Sequence, residues 1–242
     1  AETLSGLVIS QLASPGAPVL YGGSPAIFDM RYETTPMGAV ETMMLDCAYN
    51  EIGKYLGLPT QAYIGLSDSK QLDAQAGLEN AMGLTLAVLA GINNVAGPGM
   101  LDFESCFSVE KLVLDNEICG MALRLARGIV PQEDFPALPH FEELIRRGHL
   151  LISAHTRKYL RNEHYIPGPV IDRANRARWS QEGARSLLQR AREQVERLLS
   201  SYRRPDLPET VRKDLEKRML DEARRHGVQT LPHMQEPACG TG

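Results

Sequence analysis

Apolar and polar positions alternate between two spacings along the first half of the chain. Short β-prone runs at residues 18–21, 60–64 and 92–96 each lead into a turn. Segments with helical spacing of apolar residues follow at 37–56, 74–89 and 108–126. Three such βα units predict an α/β fold with parallel strands and crossover helices, either a doubly wound sheet or a stretch of (β/α)8 barrel. Spacing alone does not choose between them, and this part is too short for eight units, which need roughly 250 residues. Ahead of the first unit, Leu4, Leu7, Val8 and Leu12 share one helical face with no capping residue far enough before them and no initiator Met, which predicts a piece of a longer protein.

Beyond residue 130 the pattern changes. Pro131, Pro136 and Pro139 interrupt the chain, a short helix is expected at 141–147, and a helical or mixed segment at 149–162. The sequence IPGP at 166–169 reads as a linker, since Pro167 and Pro169 prevent helix continuation. Residues 180–202 read as one helix and 209–226 as a second, joined by RPDLPET and closed by Gly227, with a disordered PACGTG tail. Leu187, Leu188, Val195, Leu198 and Leu199 on one face suggest an antiparallel hairpin, with either a solvated face or a packing or oligomerisation stripe.

Composition narrows the class. At 242 residues and 43% apolar content the chain can bury a core. The apolar-looking run at 82–92 is broken by Gly, Thr and Asn and is too short for a bilayer span of roughly 20 residues, and no secretion signal is visible, so cytoplasm is the default. Cys47, Cys106, Cys119 and Cys239 have no CxxC spacing and read as reduced thiols. Residues 1–130 carry 6 Lys and Arg against 14 Asp and Glu, whereas residues 131–242 carry 20 against 16. The acidic first part suits a cationic substrate or simple solvation, and the mixed signs of the second suit exposed helices better than a nucleic-acid stripe.

The loops after the predicted strands open on one face, where parallel α/β folds gather their sites. They contribute Tyr21 and Ser24, then Asp29, Arg31, Tyr32 and Glu33, then Asp68, Ser69, Lys70 and Asp73, and lastly Asp102 and Glu104. Acids and aromatics together can hold a methylated ammonium, because cation–π and carboxylate contacts need no hydrogen from the ligand. For each residue singly, helix capping or surface pairing is an equally good reading, and for Asp68 and Asp73 the local position favours capping. GPG at 97–99 is no phosphate loop, and neither a Walker nor a dinucleotide glycine pattern occurs. All six histidines lie after residue 130 without metal-ligand spacing, so no bound metal is expected.

The stretches YGGSPAIFDMRYETTPMGAVET from Tyr21, LSDSKQLDAQAG from Leu66 and GPGMLDFESCFSVEKLVLDNEICGM from Gly97 resemble the trimethylamine methyltransferase family of corrinoid-dependent enzymes. The resemblance covers roughly residues 1–165 and implies the later part of a TIM barrel, followed by a helical region at 166–242. It implies that a methylated amine binds at the barrel mouth and yields a methyl group to the cobalt of a corrinoid carried by a separate protein, with no cofactor held by this chain. Asp68, Lys70, Asp102 and Glu104 are the catalytic candidates, and Tyr21, Ser24, Asp29, Arg31, Tyr32 and Ser69 the substrate-binding ones. Archaeal members carry pyrrolysine, which this sequence lacks, and the turn at Lys70 and Gln71 is the candidate for the equivalent position. Since the amine nitrogen must leave neutral, a relative without pyrrolysine is expected to prefer a quaternary amine such as glycine betaine. A different barrel enzyme using the same carboxylates as acid and base, and a non-catalytic oligomerising fragment, remain the alternative readings. A homo-oligomer is expected, because an opened barrel exposes strand edges and apolar helix faces.

Overall fold

The computed structural model describes residues 1–132, 136–203 and 206–231. The tail PACGTG with Cys239, His233, and Arg204 and Pro205 of the turn before the last helix lie outside them. The chain divides into two compact units, Ala1–Ser200 and Ser201–Gly242.

The first unit begins with α1 (Glu2–Ala13), which buries no residue and leaves Leu4, Val8, Ile9 and Leu12 exposed. Then come β1 (Tyr21–Gly23), α2 (Val40–Tyr55), β2 (Thr60–Ala62), α3 (Ala74–Ala90) and β3 (Asn94–Val95). The strands form a parallel sheet in the order β1-β2-β3, with Tyr21 opposite Thr60 and Gln61 opposite Asn94. Expectation and structure agree on this mixed α/β layer, and among the described residues the sheet does not close on itself.

Two features of the third unit differ from the sequence reading. The loop expected at 97–105 contains β4 (Met100–Leu101), which pairs antiparallel with β5 (Cys106–Phe107). Between them Asp102, Phe103 and Glu104 all take left-handed φ values of 50, 55 and 78°. Gly97 lets this loop approach the segment just after β2, since a Cβ there would collide with the Ile64 carbonyl oxygen. The loop runs into α4 (Val109–Ala126), where Ser108 caps the helix by accepting from the Lys111 N–H.

One core cluster joins Met43 of α2 to Ala62, Ile64, Ala87 and Ile92. A second joins Leu84 of α3 to Leu114, Ile118 and Ala122 of α4, and also takes in Val170 and Ala191. The IPGP segment is pinned to α4 where the Gly168 N–H donates to Glu117 at 2.9 Å. Outside this core lie α5 (Leu138–Arg147) and α6 (Ala154–Glu163).

The helix expected across 180–202 is instead two, α7 (Arg176–Gln181) and α8 (Leu187–Ser201). Gly183 and Ala184 between them are both left-handed, which no continuous right-handed helix accommodates. In the second unit, α9 (Glu209–Arg225) buries nothing and carries local ion pairs such as Arg218 with Asp214 at 2.9 Å. Val211, Leu215 and Met219 form an exposed stripe on it. No helix among the described residues is long and apolar enough to cross a membrane.

Candidate functional site at the strand ends

Three loops meet where the parallel strands end. The β2 loop is the hub, and α3 anchors it through Glu79, which accepts from the Ser67 hydroxyl at 2.6 Å and from the Asp68 N–H at 2.9 Å. The β3 loop is tied to it by the Ser67 N–H donating to the Met100 carbonyl at 3.2 Å and the Asp102 N–H donating to that of Ser69 at 3.0 Å. The β1 loop joins through the Gly38 N–H, which donates to Asp68 at 2.9 Å.

Asp68 is therefore a staple between loops, and the local expectation that it caps a helix gives way to that role. Its carboxyl is pushed above the usual carboxylate range by burial, against the opposing pull of the Gly38 N–H. Asp73 is the cap of α3, accepting from the Ala76 N–H at 3.0 Å, which holds its carboxyl low. Asp73→Ala is expected to lower the urea midpoint of unfolding; an unchanged midpoint would show that the cap is idle.

The loops line an open cavity of about 350 Å³ formed by Asp29, Tyr32, Thr34, Pro36, Asp68, Ser69, Lys70, Gln71, Asp73, Gln75 and Phe103. Of the sequence candidates, Asp29, Tyr32, Asp68, Ser69 and Lys70 meet here. Arg31 is not part of the cavity lining but lies against it, 5.5 Å from the Tyr32 ring centroid and in a two-pronged pair with Asp29 at 3.1 and 2.6 Å that draws the Asp29 carboxyl down to about 2. Asp102 adjoins through Lys70, whose Nζ lies 3.3 Å from its Oδ1.

The other candidates stand apart from the cavity wall. Tyr21 is buried against Tyr49, their ring centroids 4.7 Å apart. Ser24 is exposed on the β1 loop, and Glu104 turns one oxygen into the protein without a hydrogen-bond partner among the described residues. His140 of α5 and His155 of α6 pack with ring centroids 4.5 Å apart and ring planes tilted by 51°, and they do not line the cavity.

Sequence reasoning missed Phe103, although its place between two acids was a usable signal. It also missed a buried network behind the loops. Lys111 and Asp115 of α4 are fully buried and paired at 2.5 Å, and Asp115 also accepts from Asn80 at 2.5 Å and from the Gly99 N–H at 2.6 Å. Burial lowers the Lys111 ammonium and raises the Asp115 carboxyl, and each charge opposes the shift of the other. Helical spacing cannot tell such a buried polar pair from a surface i,i+4 pair. Asp46 of α2 was missed as well: it is 1% exposed with an unpartnered oxygen, and burial, aided by the Glu104 charge, pushes its carboxyl to about 7.

The parallel sheet with its crossover helices places the chain in the α/β class, and the cavity of carboxylates and aromatic rings at the C-terminal edge of that sheet is the candidate site. The profile of the trimethylamine methyltransferase family (MTTB) matches residues 1–227, and the chain belongs to that family. It is 36% identical over 208 residues to a glycine betaine methyltransferase of Desulfitobacterium hafniense strain Y51, covering 86% of this chain and 43% of that protein. It is 33% identical over 227 residues to a trimethylamine methyltransferase of Desulfitobacterium hafniense strain DCB-2, covering 94% and 45%. To a trimethylamine methyltransferase of Methanosarcina barkeri it is 34% identical over 217 residues, covering 89% and 43%. The chain thus spans less than half the length of these relatives.

Proposed function

We propose that this chain supplies the amine site of a methyltransferase that moves a methyl group from a methylated amine to the cobalt of a corrinoid carried by a separate protein. A quaternary amine such as glycine betaine is the preferred donor. The observation that carries the reading is the strand-end cavity, where Phe103 and Tyr32 stand beside Asp29, Asp68 and Asp73. Aromatic faces and carboxylates attract a cation that has no N–H to donate.

We further read the three βα units as part of a (β/α)8 barrel. Support comes from parallel strands that follow one another in chain order without reversal, and from loops that gather at one end. The corrinoid supplies the nucleophile that accepts the methyl group. In the transfer the C–N bond breaks, its electron pair stays on nitrogen, and a quaternary nitrogen leaves as a neutral tertiary amine. The chain's own task is to hold the cation, orient one methyl group outward and exclude water. No side chain needs to form a covalent bond. A cytoplasmic location fits Cys47, Cys106 and Cys119, which are free thiols. The exposed apolar face of α1 supports self-association.

The test is titration calorimetry of the chain with glycine betaine and with trimethylamine, alongside a methyl-transfer assay of the protein with reduced cobalamin. Saturable betaine binding is expected, weakened about tenfold or more in Asp68→Ala, which unties the β1 loop from the β2 loop. Demethylation of trimethylamine without that of any quaternary amine would overturn the donor preference.

A further inference from the structure

We propose that Lys70 is an exchangeable stand-in for the substrate's cationic head, occupying the cation position of the cavity and yielding it when a quaternary ammonium binds. This rests on the methylated-amine reading of the cavity and adds how that site is gated. The Lys70 ammonium lies 4.1 Å from the centroid of the Phe103 ring. It sits 3.3 Å from Asp102 Oδ1 and donates to the Asp68 carbonyl at 2.8 Å. An aromatic face with a carboxylate beside it is what a methylated ammonium requires, and here it is already filled by a cation of the chain itself.

The cage does not depend on Lys70 for its shape. Asp102 and Phe103 are fixed in their left-handed conformation by the Asp102 N–H on the Ser69 carbonyl and by the β4–β5 pairing on either side. Lys70, in contrast, can leave easily. Its side chain is 61% exposed, so its ammonium can swing into water while the stem stays in place. Only the Phe103 face and the Asp102 charge serve both cations, because a quaternary ammonium has no hydrogen for the Asp68 carbonyl. Lys70 thereby sets a threshold: a cation enters only if it binds the ring better than an ammonium that is free to return to water.

Titration of the chain and its Lys70→Met and Phe103→Leu variants with tetramethylammonium tests this. Lys70→Met is expected to bind about two- to five-fold more tightly than the wild type, the size of an exposed cation–π contact. Adding Phe103→Leu should remove that gain. Thermal unfolding of each variant checks that the fold is kept. Equal or weaker binding by Lys70→Met, or no binding by either form, overturns the stand-in role. If glycine betaine still binds in that case, the methylated-amine reading stands without it. If Lys70→Met gains affinity but no quaternary amine yields a methyl group to cobalamin, the stand-in role survives and the proposed reaction fails.

Discussion

Replacing Lys111 by methionine is expected to lower the unfolding free energy by about 3–5 kcal/mol, read as a fall in the urea midpoint at unchanged slope. Both members of its pair with Asp115 are wholly inaccessible to water. Methionine fills most of the volume but leaves the Asp115 carboxylate buried with only Asn80 and Gly99 as donors. Substituting Asp115→Leu as well should restore part of the loss. The restoration stays incomplete, since the Gly99 N–H and the Asn80 amide then lose their acceptor. A single-variant loss under about 1 kcal/mol would mean that water reaches the pair. Because Gly99 leads directly into β4 and the Asp102 turn, amine binding should weaken together with stability.

The second large effect is a dependence on pH that runs opposite to that of an ordinary paired carboxylate. Asp46 titrates near 7 in the folded chain against an ordinary value of 3.8. The folded state therefore holds a proton that the unfolded state has released, and stability falls as pH rises from about 4 to about 7. The accumulated penalty above pH 7 is on the order of 4 kcal/mol. Asp46→Asn removes the titrating group, so it should stabilise the protein at pH 8 and change little at pH 4. Asp68 and Glu104, both raised by burial, act in the same direction, and the Asp46 share is the difference between wild-type and variant slopes. Parallel pH curves for the two proteins would show Asp46 to be ionised and solvated across the whole range.

The regular parts of this fold were legible because their signals are local. The helical spacing over 74–89 and the capping position of Asp73 locate α3 to within a residue. The β2 run at 60–64 is equally plain, although only Thr60–Ala62 pairs. What could not be read was fixed by contacts distant in sequence. Nothing near Asp68 announces that its carboxylate will take the N–H of Gly38, 30 residues earlier. The break between α7 and α8 depends on Ala184 adopting a left-handed conformation, which the residue type disfavours. Chemistry-bearing loops were found because strand ends are a fixed place in parallel α/β folds, whereas their buried supports, Lys111, Asp115 and Asp46, look in sequence like ordinary solvated helix residues.

The turn through Asp102, Phe103 and Glu104 is close to the mirror image of a common single turn of 3-10 helix. Reflecting a turn reverses the side to which its side chains project. A right-handed version with the same sequence would point the Phe103 ring to the other flank of the sheet edge, away from Lys70 and the cavity. Glycine at 102 or 104 would relieve a steric cost of roughly 1–2 kcal/mol at that position while leaving the Phe103 ring in place. The side on which a cation finds an aromatic face is thus imposed on this turn from outside, by its hydrogen bond to the β2 loop and by the β4–β5 pairing, against the preference of the three residues themselves.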